Sequence, residues 1–169
     1  MVNLGKPKVS YNCDKHFASE LLSKKKIMSA NLIAKASTTI SATASEVWDA
    51  LTNPKMIKQY FFGTDAVSDW KEGSTLEFKG SWEGKGYVDK GVILRSDPPK
   101  LFQYTYFSSM SNLPDAPENY MNISYELQED NGETMLTVKQ ENVANEDARK
   151  HSEENWTNVL KDLKALLEK

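Results

Sequence analysis

The hydrophobic pattern changes period twice along the chain. Residues 33 to 40 are rich in β-branched types and predict a strand. Thr43, followed three residues later by Glu46, has the spacing of a capping box, so a helix is predicted to start there. Val47, Trp48 and Leu51 fall on one side of that helix. Asn53-Pro54 predicts a second short helix, with asparagine as cap and proline at the first helical position, ending near Phe62-Gly63. The period then becomes two. Leu76, Phe78, Gly80 and Trp82 alternate with Thr75, Glu77, Lys79 and Ser81, the mark of a half-buried strand.

Glu83 to Gly86 turn the chain into a strand over 87–95, which Asp97-Pro98-Pro99 ends because proline cannot donate to a ladder. Residues 101–107 predict another strand, with Phe102, Tyr104 and Tyr106 on one face. A loop holding Pro114 and Pro117 follows. Met121, Ile123, Tyr125 and Leu127 then alternate, Asn131-Gly132 gives a type I′ turn, and Leu136 and Val138 return. Finally Trp156, Val159, Leu160, Leu163, Leu166 and Leu167 recur every three or four residues behind Asn145, a suitable cap. The period has returned to that of a helix.

This order predicts an α+β domain whose antiparallel sheet of many strands curves around one long C-terminal helix. The domain is expected over 32–169, preceded by a mobile leader over 1–31. Within the leader, Phe17, Leu21 and Leu22 followed by Lys24, Lys25 and Lys26 predict a short amphipathic helix, and Met28 is a candidate second start.

Composition narrows the function classes. The chain has 169 residues, enough for one domain with a sizeable core, and a net charge of −3. Interspersed charge without a basic stripe argues against nucleic-acid binding. No apolar run exceeds three residues, so no membrane insertion is expected. The single cysteine, Cys13, cannot form an internal disulfide, in keeping with a reducing cytoplasm as the expected location.

Candidate chemistry is sparse. The two histidines are His16 in the leader and His151 early in the last helix, the latter read as a solvated helix residue. Neither a nucleophile elbow nor a metal-ligand cluster appears, so no catalytic residue, metal or cofactor is expected. Gly80, Gly84 and Gly86 lack the ending of a phosphate loop and read as a hairpin turn. Glu77, Glu83, Asp89 and Glu126 offer no evident carboxylate pair. The unusual feature is aromatic content on inward positions: Phe78, Trp82, Tyr104, Tyr106, Tyr125 and Trp156, with Leu160 behind them and Phe61 and Phe62 near the mouth. A sheet wrapped around one helix leaves space near its open end, and ligand sites favour apolar concavities with few polar groups. These nine residues are the expected site for a small hydrophobic or aromatic ligand, lipid-like ones included, in a monomer or weak dimer.

Several stretches together resemble the activator of heat-shock protein 90 ATPase homologue-like family, within the START-like, helix-grip (SRPBCC) superfamily. They are Val47-Trp48, Ala50-Leu51-Thr52 and Asn53-Pro54 in the opening; Trp70 to Gly73; Gly91-Val92-Ile93-Leu94 leading to Pro98-Pro99-Lys100-Leu101; Glu133 to Val138; and Trp156, Leu160, Leu163-Lys164 and Leu167 at the end. Asn155 stands where the family commonly has glycine before the tryptophan. The resemblance implies the helix-grip fold. It also implies two alternatives to ligand binding: a protein–protein module of the chaperone-cofactor kind, with a chaperone as partner, and a cyclase-like enzyme. In the eukaryotic cochaperone, stimulation of the ATPase needs a further N-terminal domain, which the short leader is not expected to supply.

Overall fold

The computed structural model describes residues 32–169. The leader's expected helix, Met28, Cys13 and His16 all lie outside the described residues. Strand β1 (Ala34–Ile40) is followed by helices α1 (Ala44–Thr52) and α2 (Pro54–Tyr60). Strands β2 (Asp65–Val67), β3 (Thr75–Trp82), β4 (Lys85–Asp97), β5 (Leu101–Tyr106), β6 (Met121–Asp130) and β7 (Glu133–Glu141) come next, with one turn of 3-10 helix (Pro117–Asn119) before β6. Helix α3 (Glu146–Leu167) ends the domain.

The strands form one seven-stranded antiparallel sheet in the order β1-β7-β6-β5-β4-β3-β2. Strands β2 to β7 are therefore a simple meander that returns to β1, while α1 and α2 carry the chain from one sheet edge to the other. The expected helix-grip architecture is observed.

Local signals set the element ends. Thr43 accepts from the Glu46 N–H, and the Glu46 carboxylate accepts from Thr43 N at 2.8 Å, so both halves of the capping box form. Asn53 accepts from Lys55 N with Pro54 at the first helical position. Asn145 caps α3 through Ala148 N at 2.8 Å. Asn131-Gly132 and Glu83-Gly84 each have two successive positive φ angles, the requirement of a type I′ hairpin turn.

Three expectations need adjustment. Helix α2 stops at Tyr60, and Phe62 takes a positive φ of 52° before Gly63 takes one of 72°. The turn therefore begins one residue before the glycine. The short strand β2 and the 3-10 turn lack any readable period. The strand expected over 87–95 is longer at both ends, because its two halves pair with different neighbours.

That division of β4 creates the curvature. A register shift lies between Ile93 and Arg95, and bulges bend a strand and increase its twist. At Gly91 an added Cβ would sit 1.6 Å from the Thr105 carbonyl oxygen, so β4 and β5 approach too closely there for any side chain.

The long helix lies alongside β1 and covers that sheet edge. Glu168 accepts from Ser41 N at 2.7 Å, and Lys164 donates to Thr39 O at 2.7 Å. An edge strand covered in this way cannot template further pairing. The inward alanines Ala34 and Ala36 are small enough for the helix to come close. Its stripe of Trp156, Val159, Leu160 and Leu163 is buried against Val47, Trp48 and Leu51 of α1 and the sheet's inner face, including Leu136 and Val138.

Candidate functional site

Burial along α3 stops being complete toward its N-terminal half, and the sheet continues past it. The result is a cavity of about 480 Å³. Its floor is built by alternate residues of four strands: Phe78, then Asp89, then Tyr104 and Tyr106, then Ile123. Ser152, Asn155, Trp156 and Val159 of α3 form one wall, with His151 exposed at the rim. Phe61, Phe62, Trp82 and Met110 form the lip.

The aromatic rings are in mutual contact. Phe61 lies 5.7 Å from Phe78 and 6.1 Å from Trp156 between ring centres. Phe78 touches Tyr104 at 5.8 Å and Tyr106 at 6.2 Å. At the mouth Phe62 meets Trp82 edge-on at 6.5 Å, and both are more than half exposed, at 57% and 54%. A positive φ is unusual for a bulky residue, and here it turns Phe62 outward over the opening.

Several of the polar groups are held in place by hydrogen bonds. Trp156 Nε1 donates to Gln140 Oε1 at 2.8 Å, which fixes the indole against the wall. Thr64 Oγ1 and Tyr87 Oη are 2.6 Å apart, and Gly80 leaves the space Tyr87 occupies, since an added Cβ would lie 2.4 Å from its hydroxyl. Asp89 is 7% exposed and accepts three hydrogen bonds: Tyr106 Oη at 2.5 Å, Ser109 N at 2.7 Å and Ser109 Oγ at 2.9 Å. Burial, with the Asp89 carboxylate beside it, raises the Tyr106 hydroxyl well above the usual phenol range. Tyr106 therefore stays protonated and is the donor of that bond. Burial raises Tyr104, Tyr125 and Tyr60 in the same direction. Among the described residues, no group of three or more His, Cys, Asp or Glu is placed to hold a metal ion.

Of the nine residues singled out in the sequence, seven line this cavity: Phe61, Phe62, Phe78, Trp82, Tyr104, Tyr106 and Trp156. Tyr125 and Leu160 do not. Tyr125 instead borders a small adjoining space of about 20 Å³ that shares Phe61, Phe78 and Tyr104 with the cavity, and Leu160 is 1% exposed inside the core. Trp82 stands at the rim and not in the interior, because it ends β3 beyond the reach of α3. Asp89, Thr64, Gln140 and Met110 were not singled out. Parity alone places Asp89 inside, two residues before Gly91 and four before Ile93 on β4, so its signal was present.

A grip-like sheet, a long closing helix and an aromatic cavity between them define a protein of the START-like, helix-grip class. The chain belongs to the family of Activator of Hsp90 ATPase homolog 1-like proteins, whose model matches residues 41–168. The solution structure of ChR145 from Cytophaga hutchinsonii is similar at 45% identity and a TM-score of 0.73, over 82% of this chain and 95% of that one. The Aha1 dimer from Colwellia psychrerythraea is similar in fold at 22% identity and a TM-score of 0.65, over 81% and 96%. CalU16 from Micromonospora echinospora is similar in fold at 19% identity and a TM-score of 0.58, over 79% and 82%. No curated protein sequence matches the chain. Among the described residues no helix is long and apolar enough to cross a membrane.

Proposed function

We propose that the chain is a binding module for a small hydrophobic or aromatic molecule held between the sheet and α3. The observation that carries this reading is the cavity: about 480 Å³, aromatic on most sides, with polar groups held by hydrogen bonds at Asp89, Thr64–Tyr87 and Gln140. That volume lies within the range of roughly 300–1,000 Å³ typical of small-molecule sites. Seven of the nine aromatic and apolar residues read from the sequence border it.

The test is uptake of a neutral environment-sensitive dye such as Nile red, with displacement by long-chain alcohols and flat aromatics. The folded protein is expected to bind the dye stoichiometrically. Phe62→Ala is expected to weaken uptake several-fold while changing stability by less than about 0.5 kcal/mol, because the ring is exposed at the lip and not part of the core. A folded protein that takes up no dye would contradict the reading.

Two other readings have one supporting observation each. A protein–protein module would use the outer face of β4, where Val88, Val92 and Leu94 are exposed on either side of Lys90. A cyclase-like enzyme would be built on Asp89 and Tyr106, a buried carboxylate and phenol facing the cavity.

A further inference from the structure

At the Asp89 end of the cavity the donors are largely used, whereas Ser152, Asn155 and His151 stand on the α3 side. Asp89 is the carboxylate at its floor, and among the described residues no lysine or arginine lines the space. Lys90 alternates to the opposite face of β4 and pairs with Asp115. Three donors already point at Asp89: the Tyr106 hydroxyl, the Ser109 N–H and the Ser109 hydroxyl. An ionised carboxylate offers about four acceptor positions, so about one is left over. The Tyr106 proton is committed to Asp89, and the Tyr106 oxygen, which has the Ser108 hydroxyl beside it, keeps one acceptor position at the edge of the cavity. Thr64 and Tyr87 share one hydrogen bond between two hydroxyls, which leaves one proton free to donate and further acceptor capacity beside it.

We infer that the polar end of the bound molecule is an uncharged hydroxyl, of an alcohol or a phenol, which donates to the Tyr106–Asp89 pair, and that carboxylates of the same shape are rejected. This rests on the cavity being the binding site. The apolar body lies on Phe61, Phe78 and Trp156, while the hydroxyl reaches Tyr106 Oη. A carboxylate guest would bring a second negative charge beside Asp89 into a low-dielectric space. At the Tyr106–Asp89 end it would meet acceptors where it needs donors, and among the described residues no lining lysine or arginine would neutralise it. Like charges in one desolvated site repel strongly, and an unpaired buried charge is costly. Specificity of this kind comes as much from the rejected partner as from the accepted one.

The experiment compares four probes that share one ring system: naphthalene, 2-naphthol, 2-naphthoate and 2-naphthylmethylammonium, titrated by calorimetry into the unmodified protein. 2-Naphthol is expected to bind about tenfold tighter than naphthalene, the worth of one well-placed hydrogen bond to a charge-assisted acceptor. 2-Naphthoate is expected to bind at least about tenfold more weakly than naphthalene. In a Tyr106→Phe, Asp89→Leu double variant, which removes both acceptors, the advantage of 2-naphthol over naphthalene should vanish. In Asp89→Asn the penalty on 2-naphthoate should shrink. Equal binding of 2-naphthol and naphthalene, or 2-naphthoate as tight as 2-naphthol, overturns the inference even if both variants fail to fold. So does an ammonium that binds tighter than 2-naphthol, since the site would then select cations. Binding of none of the four overturns the cavity reading itself, which keeps the two failures apart.

Discussion

Trp156→Ala is expected to cost about 3–5 kcal/mol of stability, the range for removing a large aromatic side chain from a core. The residue sits where architecture and site meet. It is 8% exposed, edge-on to Tyr125 at 5.9 Å, and its indole N–H donates to Gln140. The alanine variant loses the ring contacts and strands the Gln140 oxygen. Against a typical domain stability of about 5–15 kcal/mol, the loss is severe without being fatal. Trp156→Phe keeps an aromatic surface and loses the hydrogen bond, so it should cost less, by about 1–3 kcal/mol in total. It should still alter dye uptake, because it reshapes one wall of the cavity. Urea denaturation of both variants beside the dye assay checks this. A cost below about 1 kcal/mol for the alanine variant, ordinary for a surface position, would mean that α3 does not face the sheet as described.

A steep alkaline transition is the second large effect. Tyr60, Tyr104, Tyr106 and Tyr125 all have hydroxyls raised above the ordinary value of 10.0, in each case chiefly by burial. Their protonated form is favoured in the folded state. In the unfolded chain the same groups lose their protons near pH 10. Below that pH both states hold the proton and the groups exert no destabilising effect. Above it the unfolded state is favoured by about 1.4 kcal/mol per pH unit for each buried hydroxyl, so four together approach about 5 kcal/mol per unit. Cooperative unfolding is therefore expected within about one to three units above pH 10. Circular dichroism and phenolate absorbance should change together. Gradual phenolate formation near pH 10 by all the tyrosines, with the fold intact, would show that these hydroxyls are solvated.

The elements were legible because their signals are local. Thr43 with Glu46, Asn53 with Pro54, and Asn131 with Gly132 each fix a backbone group within a few residues, and each does so in the structure. The stripe from Trp156 to Leu163 was equally plain, since one helix buries one face. Depth was not legible. Alternation says that Phe78 and Trp82 share a face of β3, but not that one is 6% exposed and the other 54%. That difference depends on where α3 and the α2 turn end over the strand, a property of tertiary packing. For the same reason Tyr125 and Leu160 lie under the cavity and not on it. Asp89 was passed over for a different cause. Its carboxylate was weighed only as half of a hydrolytic pair, whereas its partners are the Tyr106 hydroxyl and the backbone and side chain of Ser109. Those lie 17 and 20 residues away, beyond any sequence window.

Tryptophan indole resonances test the central claim most directly. The chain has four tryptophans. Trp82 and Trp156 border the cavity, whereas Trp48 and Trp70 pack against Phe102 on the other side of the core. With ¹⁵N-labelled tryptophan, titration of 2-naphthol should shift the indole signals of Trp82 and Trp156 saturably and together, leaving those of Trp48 and Trp70 in place. Saturable shifts confined to Trp48 and Trp70, or no saturable shift at all, would contradict a binding site between the sheet and the C-terminal helix.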